Sequence, residues 1–202
     1  MVKIEHLGHA VFRLTGSKTV YFDPYKLEGP QAPADVVLVT HSHFDHCSPT
    51  DLAQVCVPST VVFAPADCAE LLKQVPTAVE HRVVEPGKVY EYEGLRIRTV
   101  PAYNTNKKFH PKENGWVGYV LEMDGESFYH TGDTDVIPEM EGLEPDYAFL
   151  PVSGVYVMDH REAAEAYRLI RPKKGAIPMH YGVVAGSAED AAKFLELIGG
   201  KE

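Results

Sequence analysis

Between residues 41 and 46 the chain sets three imidazoles and a carboxylate side by side, in the order His41-Ser42-His43-Phe44-Asp45-His46. Neutral imidazole and carboxylate are the groups that hold zinc, manganese and iron, so this stretch is a candidate metal site. In an extended segment side-chain direction repeats every second residue, which puts His41 and His43 on one face. Asp45 and His46 lie past a turn and aim at a neighbouring point. One ion cannot take all four groups at this spacing. The pattern therefore predicts two adjacent metal positions rather than one closed structural site. The preceding run, Asp35-Val36-Val37-Leu38-Val39, is short, apolar and β-branched, the pattern of a buried strand. That strand supplies the context a metal motif needs, and separates it from a solvated polar loop.

Two further His/Asp points fall at expected strand ends. The stretch His130-Thr131-Gly132-Asp133 follows a hairpin strand, and glycine there lets the backbone approach a cleft closely. The stretch Ile177-Pro178-Met179-His180-Tyr181-Gly182 ends a later strand. Taken alone, Asp133 could equally cap a turn, and a lone histidine such as His180 is more often structural.

Together these pieces resemble the metallo-β-lactamase superfamily, whose signature the His41–His46 pattern matches. Pro178-Met179-His180-Tyr181-Gly182, Leu7-Gly8-His9-Ala10, Gly132-Asp133-Thr134 and Met158 with Glu162-Ala163-Ala164 look like one branch of it. That branch holds the ascorbate-6-phosphate lactonase, a distinctly longer chain, and related metal-dependent hydrolases. The resemblance implies a four-layer αββα sandwich of two mixed β-sheets with helices outside. It also implies that Asp133 is the carboxylate touching both metals, that His180 is the last metal histidine, and that His9 faces the active-site rim. By its residues alone, His9 is as well read as a turn residue.

One expected part is missing. The superfamily places a further histidine in a Pro-Ala-aromatic-His sequence, where this chain has Pro101-Ala102-Tyr103-Asn104. An amide oxygen is a weaker zinc ligand than imidazole and suits harder ions. His110 could fold back into the vacancy, and the choice between Asn104 and His110 stays open at this level. The first position is thus His41, His43 and Asp133, with one ligand undecided. The second is Asp45, His46, Asp133 and His180.

Composition sets the limits. The chain has 202 residues, 45% hydrophobic and 24% charged, which suits a single globular domain over 1–202 burying roughly 70% of its unfolded surface. A net charge of −10 argues against a nucleic-acid backbone as partner. No apolar run approaches the roughly 20 residues that span a bilayer. Cys47, Cys56 and Cys68 make no disulfide framework, which points to a reducing, cytoplasmic setting. Cys47 follows His46 directly, but a cysteine there is more often a small buried hydrophobe than a ligand.

The elements that must carry the site read as follows. Strands are expected at Val2–Leu7, Ala10–Leu14 and Thr19–Phe22, with Asp23-Pro24 closing the last into a turn. Ser48-Pro49-Thr50-Asp51 should start a helix running to about Val55. Thr60–Ala64 is a strand, and Pro65-Ala66-Asp67 opens a helix through Lys73, stopped before Pro76. Strands follow at Val79–Val84, Lys88–Tyr92 and Leu95–Val100, then the hairpin Trp116–Met123 and Glu126–His130. Residues 101–115 lack periodicity, and such a loop in a compact domain is usually functional or mobile. Tyr147–Val152 and Ala176–Met179 are strands, with helices from His160 and from Ser187 to about Ile198. No internal repeat is visible. Two groups of strands, each followed by helices, suit two sheets packed face to face with helices outside.

The expectation is a metal-dependent hydrolase acting on a small molecule. Its metal would activate water against a lactone, ester or phosphodiester, with Asp45 or Asp133 orienting that water and taking its proton. No serine nucleophile elbow is present to compete. Zinc is the first choice of cofactor, with manganese or iron behind it, one or two ions per chain. Lys107, Lys108 and Lys112 could receive an anionic group, although a solvated charge run is the plainer reading. A non-catalytic metal-binding or sensory protein and a mononuclear iron oxidoreductase are the alternatives. The residues leave self-association into a homo-oligomer open.

Overall fold

The protein, seen in a computed structural model, is described over residues 1–77 and 79–199. It divides into two compact units, Met1–Glu85 and Pro86–Glu202, each built on one six-stranded mixed sheet. Among the described residues no helix is long and apolar enough to cross a membrane.

In the first unit β1 (Lys3–Gly8), β2 (Val11–Thr15) and β3 (Thr19–Phe22) form an antiparallel meander. Then β4 (Val36–Leu38), β5 (Val61–Ala64) and β6 (Glu80–Val83) join in parallel, in chain order. Helix α1 (Pro49–Val55) makes the β4–β5 crossover; its N-cap is Ser48, and Pro49 opens its first turn. The helix expected over 65–73 is instead a 3₁₀ turn (Ala66–Cys68) followed by one α-helical turn, α2 (Ala69–Leu72). No side chain caps either piece, and an uncapped start leaves backbone N–H groups without helical partners.

The second unit repeats the plan, although the sequence shows no repeat. Strands β7 (Val89–Tyr92), β8 (Leu95–Pro101), β9 (Val117–Met123) and β10 (Glu126–His130) form the antiparallel part. Glu93-Gly94 and Asp124-Gly125 make the two tight hairpins, all four residues having positive φ, as the twist of a two-residue hairpin requires. Then β11 (Tyr147–Pro151) and β12 (Gly175–Met179) add in parallel, with α3 (His160–Ile170) between them and α4 (Ala188–Leu197) after. Asp159 and Glu162 close a capping box on α3.

Each sheet packs helices on one face. In the first unit Val37, Val39 and Val62 meet Leu52, Val55 and Leu72. In the second, Val120, Ala148 and Leu150 meet Ala163, Ala166 and Phe194. The residues that alternate with these along the strands, such as Phe12, Phe63, Phe128 and Phe149, are fully buried too. That pattern accounts for the near-continuous apolar runs of the central strands. It leaves the carboxyl ends of the parallel strands as the natural place for chemistry. Asp23 follows β3, His41 follows β4, Asp133 follows β10, Ser153 follows β11 and His180 follows β12.

One glycine ties the hairpin to that end of the sheet. A Cβ on Gly118 of β9 would lie 2.5 Å from the Thr131 carbonyl oxygen and 2.7 Å from that of His130. Both are backbone atoms just ahead of Asp133, so they cannot swing aside. Gly118→Ala should therefore cost about 1–3 kcal/mol and lower the melting temperature by at least about 3 °C. Calorimetry of the two proteins checks this, and unchanged melting would mean the backbones are not held in contact.

Candidate metal centre

In the first unit the positioning group is Asp23, which the sequence presents only as the residue closing a strand into a turn. It is completely buried and sits in the left-handed region with φ 44°, a cost that survives where the surroundings over-determine it. Its Oδ1 accepts the Thr40 N–H at 2.8 Å, and its Oδ2 accepts the Thr40 hydroxyl at 2.7 Å. The same Oδ2 lies 2.7 Å from His46 Nδ1. Since the Thr40 hydroxyl spends its proton on Asp23, it is free to accept from His41 Nδ1, 2.9 Å away. A single buried carboxylate thus sets two rings, and both present Nε2 on the other side.

The rest of the motif gathers around them. His41 Nε2 lies 3.1 Å from His43 Nδ1. His9, on the bulged β1–β2 connection and also left-handed at φ 49°, points Nε2 at Asp45 Oδ2, 2.9 Å away. Asp45 Oδ2 is in turn 3.6 Å from His46 Nε2. His9, Asp45 and His46 each offer a ligand atom within 4.8 Å of the others. Cys47 points away, into the core with Val11, Val39 and Leu52, and acts as a hydrophobe. Burial pushes the Cys56 thiol up to about 12; a hydrogen bond with Cys47, then burial, push that of Cys68 upward. Neither is a thiolate at neutral pH, so neither is a nucleophile.

In the second unit Asp133 is the centre. Its Oδ2 lies 3.2 Å from His110 Nε2 and 3.0 Å from His180 Nε2. The other nitrogen of each ring meets an oxygen: His110 Nδ1 meets Asn104 Oδ1 at 3.2 Å, and His180 Nδ1 meets the Ser153 hydroxyl at 3.2 Å. His180 is left-handed at φ 59°. Asn104 does not offer its oxygen outward. That atom also accepts the N–H groups of Phe109 and His110, while its amide nitrogen donates to the Tyr156 carbonyl. The side chain of Asn104 therefore pins the 104–110 loop and turns His110 toward Asp133.

Asp135 pins the same loop from the other side, accepting the N–H groups of Thr105 and Asn106. Lys107 is drawn in as well, with Nζ 2.7 Å from Asp135 and 3.5 Å from Glu162. Lys112 bonds Glu139 at 2.9 Å and the Tyr103 hydroxyl, contacts that raise its pKa in that order. Lys108 is exposed. Two of the three lysines considered for an anionic group thus already serve acids of the protein.

The donor set suits a divalent ion. His41, His46, His110 and His180 each have Nδ1 on an oxygen. That is how metal-ligating histidines are oriented and their tautomers set. Imidazole with carboxylate, and without thiolate, fits zinc, manganese or iron. The supporting residues Asp23, Thr40, Ser153 and Asp135 escaped sequence reasoning. The available signal was modest: each stands immediately after a β-rich run or beside a motif residue.

Comparison with known proteins gives a consistent answer. The family model described as the beta-lactamase superfamily domain matches residues 3–180. A UPF0173 metal-dependent hydrolase from Thermococcus onnurineus is 34% identical, the alignment covering 100% of this chain and 94% of that protein. A crystal structure of a protein named as a metal-dependent hydrolase from Parabacteroides distasonis aligns with a TM-score of 0.83 at 30% identity. It covers 98% of this chain and 88% of the other. A metallo hydrolase from Ignicoccus hospitalis has a TM-score of 0.78 over 98% of this chain and 90% of its own. At 24% identity it speaks for the fold alone.

The supporting shell makes a prediction of its own. Asp23→Asn removes the charge that holds His46 and Thr40, and should weaken zinc binding about 10–100-fold. Asn104→His, which would fill an empty ligand position if residue 104 faced the metal, should weaken binding too, because it releases the loop carrying His110. Competitive titration against a chromophoric chelator reads both. Tighter binding in Asn104→His would show that residue 104, not His110, belongs at the metal.

Proposed function

The chain belongs to the beta-lactamase superfamily and to its UPF0173 metal-dependent hydrolases, and from that premise we propose that it binds divalent metal through His41, His43, Asp45 and His46 of the first unit and through His110, Asp133 and His180 of the second. The observation that carries this reading is the Nδ1–oxygen contact repeated on four histidines, two in each unit. Zinc is the ion the donor set favours, with manganese or iron accepted by the same groups.

A bound divalent ion supplies Lewis-acid polarisation of a carbonyl or phosphoryl oxygen and a water acidic enough to attack near neutral pH. The protein's own part is to orient and to move a proton. Asp45, whose Oδ2 lies 2.9 Å from His9 Nε2 and 3.6 Å from His46 Nε2, is one acid for that role. Asp133, whose Oδ2 likewise faces two rings, His110 and His180, is the other. The scissile bond is an ester, a lactone or a phosphodiester of a small molecule. Lys108 is the one loop lysine left exposed without an internal acid, which gives an anionic group little to bind. The three cysteines are free and buried, which supports a reducing, cytoplasmic setting.

The test is direct. His46→Ala and His180→Ala should each lower bound metal at least tenfold, by plasma mass spectrometry after dialysis. Both should lose the hydrolysis that the metal-loaded protein shows across a panel of esters, lactones and phosphodiesters. Full metal content in both variants would end this assignment.

A further inference from the structure

Exposed apolar side chains are ordinary when scattered. Here half of those exposed fall beside the proposed ligands in the sequence. Eight large hydrophobic residues are exposed among the described ones: Met1, Phe44, Val83, Val89, Phe109, Val155, Val183 and Leu197. Four of them, Phe44, Phe109, Val155 and Val183, stand within three residues of a proposed ligand or of its hydrogen-bond partner.

In the second unit the loops that carry these side chains are knit together. The Asn104 amide donates to the Tyr156 carbonyl at 3.0 Å, joining the 104–110 loop to the one after β11. Ser153 of that loop holds His180, and a Cβ on Gly186 would come within 2.6 Å of the Ser153 side chain. The 180–186 loop is therefore pressed against Ser153. On this fixed base Phe109 stands edge-on to Tyr156, ring centroids 4.7 Å apart, and is still 47% exposed. Val155 and Val183 are 49% and 41% exposed. The first unit has the same feature by itself: Phe44 is 66% exposed, with its ring against Tyr25, which also meets His9. Residues next to a ligand are where a polar substrate would call for polar side chains. The chain places aromatic and branched apolar groups there, and spends Lys107 and Lys112 on its own acids.

We propose that the substrate is an ester or lactone with an uncharged apolar acyl group, received by Phe109, Tyr156, Val155 and Val183. This rests on the hydrolase reading above and adds the substrate class to it. Loops tied to one another by these bonds suit the task, since apolar contact is non-directional and gains from surfaces that need no reordering.

The experiment uses the full chain loaded with zinc and has two independent readouts. Calorimetric titration with N-methylbutanamide and N-methyloctanamide, which vary the acyl chain and which the protein does not need to cleave, reports on the apolar surface. The four added methylenes are only partly moved out of water on so open a surface, so the octanoyl amide should bind at least about tenfold tighter. In Phe109→Ser/Val183→Ser, checked for equal metal content, that ratio should fall toward one. Hydrolysis of p-nitrophenyl acetate, butyrate and octanoate reports on the reaction, with kcat/KM rising along the series through KM. Equal affinity for the two amides, or an unchanged ratio in the double variant, overturns the proposal even if esters are cleaved. Tighter binding of the octanoyl amide without cleavage of these esters or of any lactone or phosphodiester in the panel would instead keep the apolar site and defeat the hydrolase reading.

Discussion

The buried carboxylate of Asp23 is the interaction on which the candidate ligands of the first unit depend. A charge at zero exposure is tolerable only when its lone pairs are taken up, and here the Thr40 N–H, the Thr40 hydroxyl and His46 Nδ1 take them. The same bonds orient His46 directly and His41 through Thr40. Stability and site geometry therefore rest on one group. A mutation there would unseat two rings while leaving every proposed ligand in the sequence.

The second unit orients its histidines with neutral oxygens. Asn104 and Ser153 hold the Nδ1 atoms of His110 and His180, and Asp135 with Lys107 keeps the 104–110 loop in place. The loop has no regular backbone ladder of its own over most of its length, so side chains supply its bonds. Strand ends do the remaining work. Asp23, His41, Asp133, Ser153 and His180 all follow parallel strands, where the sheet holds the backbone rigid and the next residues are free to turn. Left-handed backbone at His9, Asp23 and His180 marks the places where that turn is sharpest.

Much of this was legible in the sequence. The elements expected from apolar periodicity and capping residues recur within a residue or two: α1 starts behind Ser48, α3 at His160, and the Asp124-Gly125 hairpin is in register. These are local signals, set by φ preferences and by the first turn of a helix, so a short window contains them. The helix at 66–72 is split although Pro65 and Asp67 look like the start of a continuous one, because no side chain caps it. The equivalence of the two units was invisible, since topology can repeat without any repeat of residues.

By itself the sequence determined the metal-type cluster at His41–His46, the strand that precedes it, the outlying Asp133 and His180, and the resemblance that joined them. Spacing and residue chemistry suffice for those. Only the tertiary structure decided what Asn104 does, because an amide oxygen reads the same whether it faces an ion or three N–H groups of its own loop. It likewise decided that Lys107 is internal, since a lysine's partners 28 residues and more away leave no mark in a charge run. Asp23 belongs with these. Its partners are brought to it by the parallel pairing of β3 with β4, and that proximity exists only once the sheet has formed.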